Sequence, residues 1–442
     1  IHELEVSVSD GSLSHTQSIS LVVRDWFDGN WSKVTSHDAE VDDGFGFSVA
    51  ASGELLAVGA LSVDEEAGAV YLYKRNPEGS STLIEKLMAP DGLAGDLFGI
   101  CVSLSGDLLA IGAYKSDGQA GAAYLYRLDA LGSANFLSKV SAPDANPGDW
   151  FGRALSLHGD LLAVGARRAA PDGVYDAGAA YLYRIEESGN TVFLNKLSAF
   201  DKQMKDGFGR SVSLSDDFLT IGAYRGDSSN LADTGAAYLY RIESNGSATL
   251  TSKITPPDGS EGDYFGISVS LSGNILSIGA ENADFSRSSN AYVSRAGAAY
   301  LYRVEPNGSA EFLDKVMASN PGEGDDFGKY LFQSGDLLAV GARFADTNNV
   351  SNSGKAYLYR LETNETAVLH EEFTVPLPDD SETFGTSVTI ADEWLIVGAS
   401  NENLGAISSA GATYLFDISG HIPVNSAPDS LTLSNYTILE NQ

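Results

Sequence analysis

The stretch GDLLAIGAYKSDGQAGAAYLYR, residues 106–127, decides the fold because it recurs along the chain. Near-copies begin at Gly159, Gly273 and Gly335, and each keeps a Gly-Ala pair and a segment that ends in Tyr-Leu-Tyr-Arg. Self-similarity with a period of about 50 to 60 residues indicates a stack or ring of like units. The chain is therefore built mainly from one repeated structural unit.

Each unit contains four short segments with the composition of β-strands. In one unit they span 98–105, 108–113, 122–128 and 136–140, are rich in β-branched and aromatic residues, and are separated by Gly, Ser, Asn and Asp. From Phe208 onwards, Phe208, Arg210, Val212 and Leu214 alternate with Gly and Ser, which predicts one bulky and one small face. Sheets with one bulky and one small face pack well on copies of themselves, the bulky face of one against the small face of the next. The sequence thus predicts an all-β fold, a β-propeller of four-stranded antiparallel blades.

Seven Phe-Gly pairs open the units and predict seven blades. They begin at Phe45, Phe98, Phe151, Phe208, Phe265, Phe327 and Phe384. The last unit lacks its own fourth strand, whereas WSKV at 31–34 has the pattern of the missing copy. We therefore expect a propeller over 26–420 that is closed by an N-terminal strand completing the last blade, which covers the edge that the last sheet would otherwise expose.

The paired Phe-Gly and Gly-Ala motifs, as in FGISVSLSGNILSIGA from Phe265, resemble FG-GAP repeats. These are the units of the seven-bladed propeller in integrin alpha subunits and in many bacterial surface proteins. Integrin blades that bind calcium carry a DxDxDG-type loop between their first two strands. This chain has a tight Ser-Gly-Asp or Ser-Gly-Asn turn there, so we expect no cofactor in the propeller.

The flanking segments carry a second resemblance. Residues 4–25 are similar to the last two strands of a cadherin-like or Ig-like domain of bacterial adhesin-type proteins, which places a domain end in 1–25. Residues 421–442 would hold the linker and first strand of the next such domain, and the resemblance nominates Asn425, Asp429 and Glu440 as ligands of an interdomain Ca²⁺. The alternative is a pair of ordinary terminal strands without metal. The resemblances together imply an extracellular or cell-surface location.

Composition limits the possible partners. Against 60 Asp and Glu there are only 27 Lys and Arg, a formal charge of −33, which would repel nucleic acid. The hydrophobic fraction of 43% is that of a folded chain, and a single cysteine excludes an internal disulfide framework. No apolar run approaches the length of a membrane span, so we expect no membrane insertion of this fragment, and a monomer.

Carboxylates recur just before the Phe-Gly pairs, at Asp43, Asp96, Asp149, Asp206, Asp263 and Asp325. In five units a further Asp stands five residues earlier, as Asp91 does before Asp96. These residues lie at the crossover from one blade to the next. They could coordinate cations, or they could accept backbone N–H groups and set the same turn each time. Recurrence around a ring favours the structural interpretation.

The candidate ligand site lies on the face where loops between second and third strands vary in length. On blades 3 and 4 this face collects cations and exposed aromatic residues: Trp150, Arg153, Arg167, Arg168, Tyr175, Arg210, Tyr224 and Arg225. Aromatic planes beside guanidinium groups suit a sugar that bears carboxylate or sulfate. The alternative is that these cations only neutralise neighbouring Asp residues.

No catalytic motif stands out. The six histidines occupy no repeated position, and neither a GxSxG elbow nor HExxH spacing is present. We expect a non-catalytic adhesion or ligand-binding propeller that binds a glycan or a surface protein on its variable-loop face. The alternatives are a polysaccharide-active enzyme and a rigid spacer in an adhesin stalk.

Overall fold

The computed structural model describes residues 4–9, 14–19, 31–76, 79–227, 231–287, 291–376 and 378–421. The chain divides into two compact units, 1–30 and 31–442. In the first unit, Leu4–Ser9 pairs antiparallel with Ser14–Ile19. None of the helices in these described ranges has the length and apolarity that crossing a bilayer requires.

The second unit is a ring of seven four-stranded antiparallel blades, as predicted. The first strands are Phe45–Ser52, Val102–Ser105, Phe151–His158, Phe208–Ser215, Phe265–Ser272, Tyr330–Ser334 and Phe384–Ala391. The second strands are Leu55–Ala60, Leu108–Ala113, Leu161–Ala166, Phe218–Ala223, Ile275–Ala280, Leu337–Ala342 and Trp394–Ala399. The third strands are Ala69–Arg75, Ala122–Leu128, Ala179–Ile185, Ala236–Ile242, Ala298–Val304, Lys355–Leu361 and Ala412–Asp417. The fourth strands are Ser81–Leu87, Ala134–Val140, Thr191–Leu197, Ala248–Ile254, Ala310–Val316, Ala367–Phe373 and, in blade 7, Trp31–Val34.

A few short elements lie in the loops between the second and third strands. Blade 5 carries an extra hairpin of Phe285–Arg287 and Ala291–Val293. Single helical turns occur at Val63–Glu66, Ser116–Gln119 and Pro171–Gly173, and another, Ser419–His421, follows the last strand. The loops therefore differ in structure from blade to blade, as their sequences do.

The N-terminal strand closes the ring, which confirms the predicted closure. Trp31–Val34 pairs with Ala412–Asp417, and Trp31 lies opposite Phe416 in the register. The Trp31 ring packs 5.8 Å from the Tyr414 ring, and Lys33 Nζ donates a hydrogen bond to the buried carboxylate of Glu402. Blade 7 is thus formed from both ends of the propeller sequence.

The repeated residues pack the interior of each blade and the contacts between blades. The Phe of each Phe-Gly pair is fully buried and packs edge-on against the first Tyr of its own third strand, with ring centroids 5.4 Å apart for Phe151 and Tyr181. The hydrophobic clusters span neighbouring blades. Leu161 and Ala163 of blade 3, for example, pack with Val212 of blade 4. Burial of these faces between blades is the main source of stability in such a ring.

Two details differ from the sequence prediction, and both arise from a bulge at the start of the first strand. In blade 2 the predicted strand 98–105 is reduced to Val102–Ser105, because Leu97 to Cys101 form a turn. In blade 4, Phe208 pairs with Ala223 and the next paired residue is Ser211. Arg210 therefore lies in the bulge, outside the alternation predicted for it.

Candidate functional site

One face of the ring is formed by the loops between second and third strands together with the crossovers to the next blade; we call it the crossover face. The two sets of loops touch, since Trp150 N donates to Gln119 O at 3.2 Å and Lys205 N donates to Tyr175 O at 3.0 Å. Successive first strands contact one another around the ring, so their starting residues surround the central axis on this face. The candidate site lies there.

Three positions of each repeat meet near the axis. The pre-Phe position, before Phe-Gly, holds Gly44, Leu97, Trp150, Gly207, Tyr264, Asp326 and Thr383. The post-Gly position, after Phe-Gly, holds Phe47, Ile100, Arg153, Arg210, Ile267, Lys329 and Thr386. The post-Ala position, after Gly-Ala, holds Leu61, Tyr114, Arg167, Tyr224, Glu281, Arg343 and Ser400. Blades 1 and 2 are mostly apolar there and blade 7 bears hydroxyls, whereas blades 3 to 6 carry the charges.

On blade 3, aromatic rings and guanidinium groups are packed face to face. The guanidinium carbons of Arg167 and Arg168 lie 4.6 and 4.5 Å from the centre of the Trp150 ring. The Tyr114 ring packs edge-on at 4.9 Å from Trp150, and Arg153 lies 5.7 Å from Tyr114. At these distances each cation is attracted by the negative face of a ring.

The same cluster continues on blades 4 and 5. Arg167 Nη1 donates to Tyr224 Oη at 3.0 Å, and Arg225 lies 5.1 Å from the Tyr224 ring and 5.5 Å from the Tyr264 ring. The structure therefore joins predicted residues of two blades through Arg167, and adds Tyr264 to them.

The outer edge of the cluster is formed by Arg168. Its Nε donates to Asp176 Oδ1 at 3.3 Å, and its Nη2 donates to Tyr175 Oη, also at 3.3 Å. Tyr175 is 53% exposed. This edge is the part of the cluster where an aromatic ring faces solvent.

The expectation of exposed aromatic residues is wrong for two of the three. Tyr224 is only 8% exposed and Trp150 is half-buried. The reason is that guanidinium groups of the same chain cover their faces. A sugar ring could stack on Trp150 only by displacing an arginine, so the cluster is better suited to recognising charge than to stacking on sugar faces.

Trp150 and Tyr264 have an unusual backbone. Their φ angles are 62° and 61°, in the left-handed region that bulky residues rarely adopt. Blades 1 and 4 have glycine at this position, Gly44 and Gly207, with φ of 67° in both cases. Leu97, Asp326 and Thr383 have φ of 58°, 61° and 58° at the same position, so the fold imposes this conformation in every blade. The two aromatic residues bear a local strain of about 1 kcal/mol that glycine avoids.

Three arginines near the axis lack an acidic partner. Within the ranges that the structure describes, Arg153, Arg167 and Arg210 form no ion pair with a carboxylate. Burial and the positive charges of Arg153 and Arg167 together lower the pKa of Arg210 to about 10, while Tyr330 and Glu281 act in the opposite direction. Burial also lowers the pKa of Arg167. These three residues, which we call the arginine trio, form a local positive centre in a chain of charge −33.

Blade 6 carries a comparable group of cations, which are neutralised. Lys329 Nζ lies 3.0 Å from Asp326 Oδ2 and 2.7 Å from Glu281 Oε2, and Arg343 Nε lies 2.9 Å from the same Asp326 oxygen. Arg343 also stacks on Phe344 at 4.4 Å. The alternative weighed for blades 3 and 4, simple charge neutralisation, therefore describes blade 6 well.

The carboxylates that precede Phe-Gly contact the backbone of their own turns. Each accepts the N–H group three residues before it, at 2.7 to 3.0 Å, and Glu382 does the same in blade 7. The residues are Asp43, Asp96, Asp149, Asp206, Asp263 and Asp325. Burial raises the pKa of Asp206 and Asp263 to about 6 and that of Glu382 to about 7.

The Asp residues five positions earlier are held by side chains. Asp91 accepts hydrogen bonds from Lys139 Nζ and Tyr124 Oη, both at 2.7 Å, and these bonds lower its pKa. The same Lys, Asp and Tyr arrangement recurs at Asp38, Asp144, Asp201 and Asp258. A fourth strand, a crossover and a third strand are thereby tied together in five blades.

Metal binding was predicted only at the flanks. Asn425, Asp429 and Glu440 lie outside the described residues. In the described part of the chain, no group of three or more His, Cys, Asp or Glu side chains is arranged to hold a metal ion. The single cysteine, Cys101, places its Sγ 3.2 Å from Gly152 O of the next blade, and burial raises its pKa to about 12.

Sequence reasoning missed Tyr114, Tyr264 and the blade 6 group of Lys329 and Arg343. A signal was present, because all four occupy the same three repeat positions as Trp150, Arg153 and Arg167. Alignment of the seven units by position, rather than a search for cations in loops, would have found them.

The comparison with known protein families supports the repeat that the sequence predicts. The FG-GAP repeat family matches six segments: 29–73, 82–126, 135–183, 192–240, 248–302 and 311–359. Each segment begins within two residues of the start of a fourth strand and ends in the third strand of the next blade, so the family unit is offset from the blade by one strand. No curated protein matches the chain. A crystal structure of a protein from Lactobacillus plantarum aligns with 77% of this chain and 86% of that chain, at 13% sequence identity and a TM-score of 0.48.

Proposed function

The chain belongs to the FG-GAP repeat family, and we propose that it is a non-catalytic, extracellular ligand-binding propeller whose crossover face binds an acidic ligand. The ligand is a glycan that bears carboxylate or sulfate groups, or alternatively a carboxylate-rich surface of another protein. FG-GAP repeats typically occur in extracellular or surface proteins and are generally non-catalytic, which supports both parts of the proposal.

The observation that carries the proposal is the cluster of arginines and aromatic rings on blades 3 to 5. In a strongly acidic chain, Arg153, Arg167 and Arg210 lie near the axis and form no ion pair with any carboxylate among the residues that the structure describes. Trp150 packs against Arg167, and Tyr264 packs against Arg225 of the same cluster. Both aromatic residues stand at a left-handed backbone position that blades 1 and 4 fill with glycine. Cationic groups on a rigid frame with variable loops are typical of a binding surface for anions.

The outer edge of the cluster, formed by Arg168 and Tyr175, would add an aromatic contact to the charged contacts of the site. Tyr175 is exposed beside Arg168, so a sugar can lie on this ring while its acidic group reaches the arginines. The covered face of Trp150 makes charge the main determinant of binding. We therefore expect acidic glycans to bind and their neutral counterparts to bind much more weakly.

A glycan array tests the proposal. We expect signals from carboxylated and sulfated glycans that disappear when the acidic groups are removed. Binding of neutral glycans only, or of none together with no acidic protein partner, would contradict it. Analysis of bound glycans for cleavage products after prolonged incubation separates binding from the alternative of a polysaccharide-active enzyme.

A further inference from the structure

Blade 6 shows what the three axial positions do when they carry cations and acids together. Lys329 and Arg343 occupy the post-Gly and post-Ala positions, and Asp326 occupies the pre-Phe position. Asp326 is only 7% exposed, and its carboxylate bridges the two cations at 3.0 and 2.9 Å. Glu281, at the post-Ala position of the preceding blade, adds a second negative charge at 2.7 Å from Lys329.

Blade 3 has cations at the same two positions but neither acid. Arg153 and Arg167 stand at the post-Gly and post-Ala positions, while Trp150 replaces the Asp and Tyr114 of the preceding blade replaces the Glu. Arg210, at the post-Gly position of blade 4, adds a third positive charge. Blades 3 and 6 are thus equivalent arrangements of cations, of which only one contains its own counter-ion.

An uncompensated group of enclosed cations is unfavourable, because their charges repel and have lost part of their hydration. The positive charges of Arg153 and Arg167 both disfavour the charged form of Arg210. Aromatic rings offset only part of this cost, since a cation–π contact is worth about 0.5 to 2 kcal/mol. An anion at the centre of the group would remove the repulsion.

We propose that the arginine trio binds one oxyanion, a carboxylate or a sulfate group, which supplies the negative charge that the Asp326 carboxylate supplies on blade 6. This inference rests on the proposed function, because it assigns the acidic group of the ligand to a defined position. The Trp150 ring lies against the face of Arg167, and Tyr224 Oη accepts a hydrogen bond from its Nη1, so the oxyanion binds to the remaining guanidinium edge. The buried Nε of Arg167, which has no hydrogen-bond partner, is one such donor.

The test uses sulfate as the probe, titrated into the whole chain by calorimetry at constant ionic strength, with chloride as the balancing anion. We expect saturable binding at one site. Arg153→Gln removes a donor, and Trp150→Asp supplies the internal counter-ion of blade 6 at a position whose left-handed backbone Asp326 also adopts, with φ of 61°. Each variant should weaken sulfate binding at least tenfold, roughly the value of one charge-assisted hydrogen bond. Arg184→Gln, which removes a cation on the opposite face, is the matched control.

Absence of saturable sulfate binding in the wild-type chain would overturn the inference, as would unchanged affinity in Arg153→Gln. If Trp150→Asp does not fold, the sulfate titrations of Arg153→Gln and of the wild-type chain still test the inference. Competition with carboxylated, sulfated and neutral oligosaccharides separates this inference from the proposed function. Sulfate binding without competition by acidic oligosaccharides supports the oxyanion site and contradicts the glycan ligand. Acidic oligosaccharides that bind unaffected by sulfate and by Arg153→Gln support the glycan ligand and contradict the oxyanion site.

Discussion

Gly279 of blade 5 lies so close to the carbonyl oxygen of Gly328 in blade 6 that no Cβ atom fits between them. Gly279 belongs to a Gly-Ala pair and Gly328 to the Phe-Gly pair of the next blade. The same approach occurs at every junction of the ring, including that of Gly398 with Gly46. The two motifs that define the repeat are therefore the two sides of one contact between blades.

Replacement of Gly279 by Ala should destabilise the ring. The added methyl group would overlap a backbone carbonyl, which can be relieved only by moving two blades apart, so we expect a loss of about 3 kcal/mol in the free energy of unfolding. Gly273→Ala is the matched control. Its φ is 55° but nothing lies within 4 Å of the added atom, so its cost should stay near 1 kcal/mol. Equal thermal midpoints for the two variants would contradict this account of the motif.

Deletion of residues 1–35 should open the ring. It removes the strand Trp31–Val34, exposes the edge of blade 7, and leaves the buried Glu402 carboxylate without Lys33. We expect a lower thermal midpoint or aggregation, measured by calorimetry and light scattering. Deletion of residues 1–25 is the control and should leave both measurements unchanged. A shortened chain that stays monomeric and as stable as the parent would show that closure contributes little.

Stability should increase as the pH falls from 7.5 to 5. The pKa values of Asp206 and Asp263, about 6, and of Glu382, about 7, lie above their ordinary values of 3.8 and 4.5, chiefly through burial. The folded state therefore binds more protons than the unfolded state in this window, and the free energy of unfolding falls as the pH rises.

The Glu382→Gln variant isolates one of these groups. We expect it to remove roughly 1–3 kcal/mol of the change between pH 5 and 7.5, because its amide oxygen can still accept the Asp379 N–H group while its charge is constant. Glu393→Gln, at an exposed residue of the same blade, should keep the full pH dependence. Thermal midpoints across the pH series measure both. A wild-type midpoint that rises with pH in this window would contradict the predicted sign.

Removal of calcium should not affect the propeller. The turns between first and second strands are tight, and calcium prefers 6 to 8 oxygen ligands. Addition of a chelator should therefore leave the thermal midpoint of a fragment spanning 26–420 nearly unchanged. A large decrease that added calcium reverses would show that these turns, or the crossover carboxylates, do bind metal.

Binding of an acidic ligand should weaken with salt. Exposed charges are screened over about 8 Å at physiological ionic strength, so the affinity should fall as the salt concentration rises. The Arg167→Ala and Arg168→Ala double variant should weaken binding at least tenfold while the ring stays folded. The control is the Lys74→Ala and Arg184→Ala double variant, which removes two cations from the opposite face. Equal loss in both variants would mean that only net charge matters.

The ring was predictable because its defining contacts repeat in the sequence. Phe-Gly, Gly-Ala and Tyr-Leu-Tyr recur in the same order along the chain. The segment WSKV at 31–34 has the pattern of a fourth strand although it precedes the first unit. Local pattern and blade-to-blade packing agree in such a fold, so one unit predicts the others.

The site was only partly predictable, because its geometry depends on contacts between blades. The burial of Tyr224 results from Arg225 beside it and Tyr264 of the next blade, and no spacing rule reveals that these rings and cations stack. The position of Arg210 depends on a bulge that interrupts the alternation of its strand. Such irregularities have no signature in the hydrophobic pattern.

The pairing of Trp31–Val34 with Ala412–Asp417 has a mechanical consequence. The chain enters the ring at Trp31 and leaves it after Asp417. Because the two strands are antiparallel and Trp31 lies opposite Phe416, both points are at the same end of this pair of strands. Tension applied to the two ends would load the hydrogen bonds of this ladder one after another, as in a zipper, rather than all together as in shear. A pulled propeller should therefore yield at blade 7 at low force, and the other six blades would unfold only afterwards.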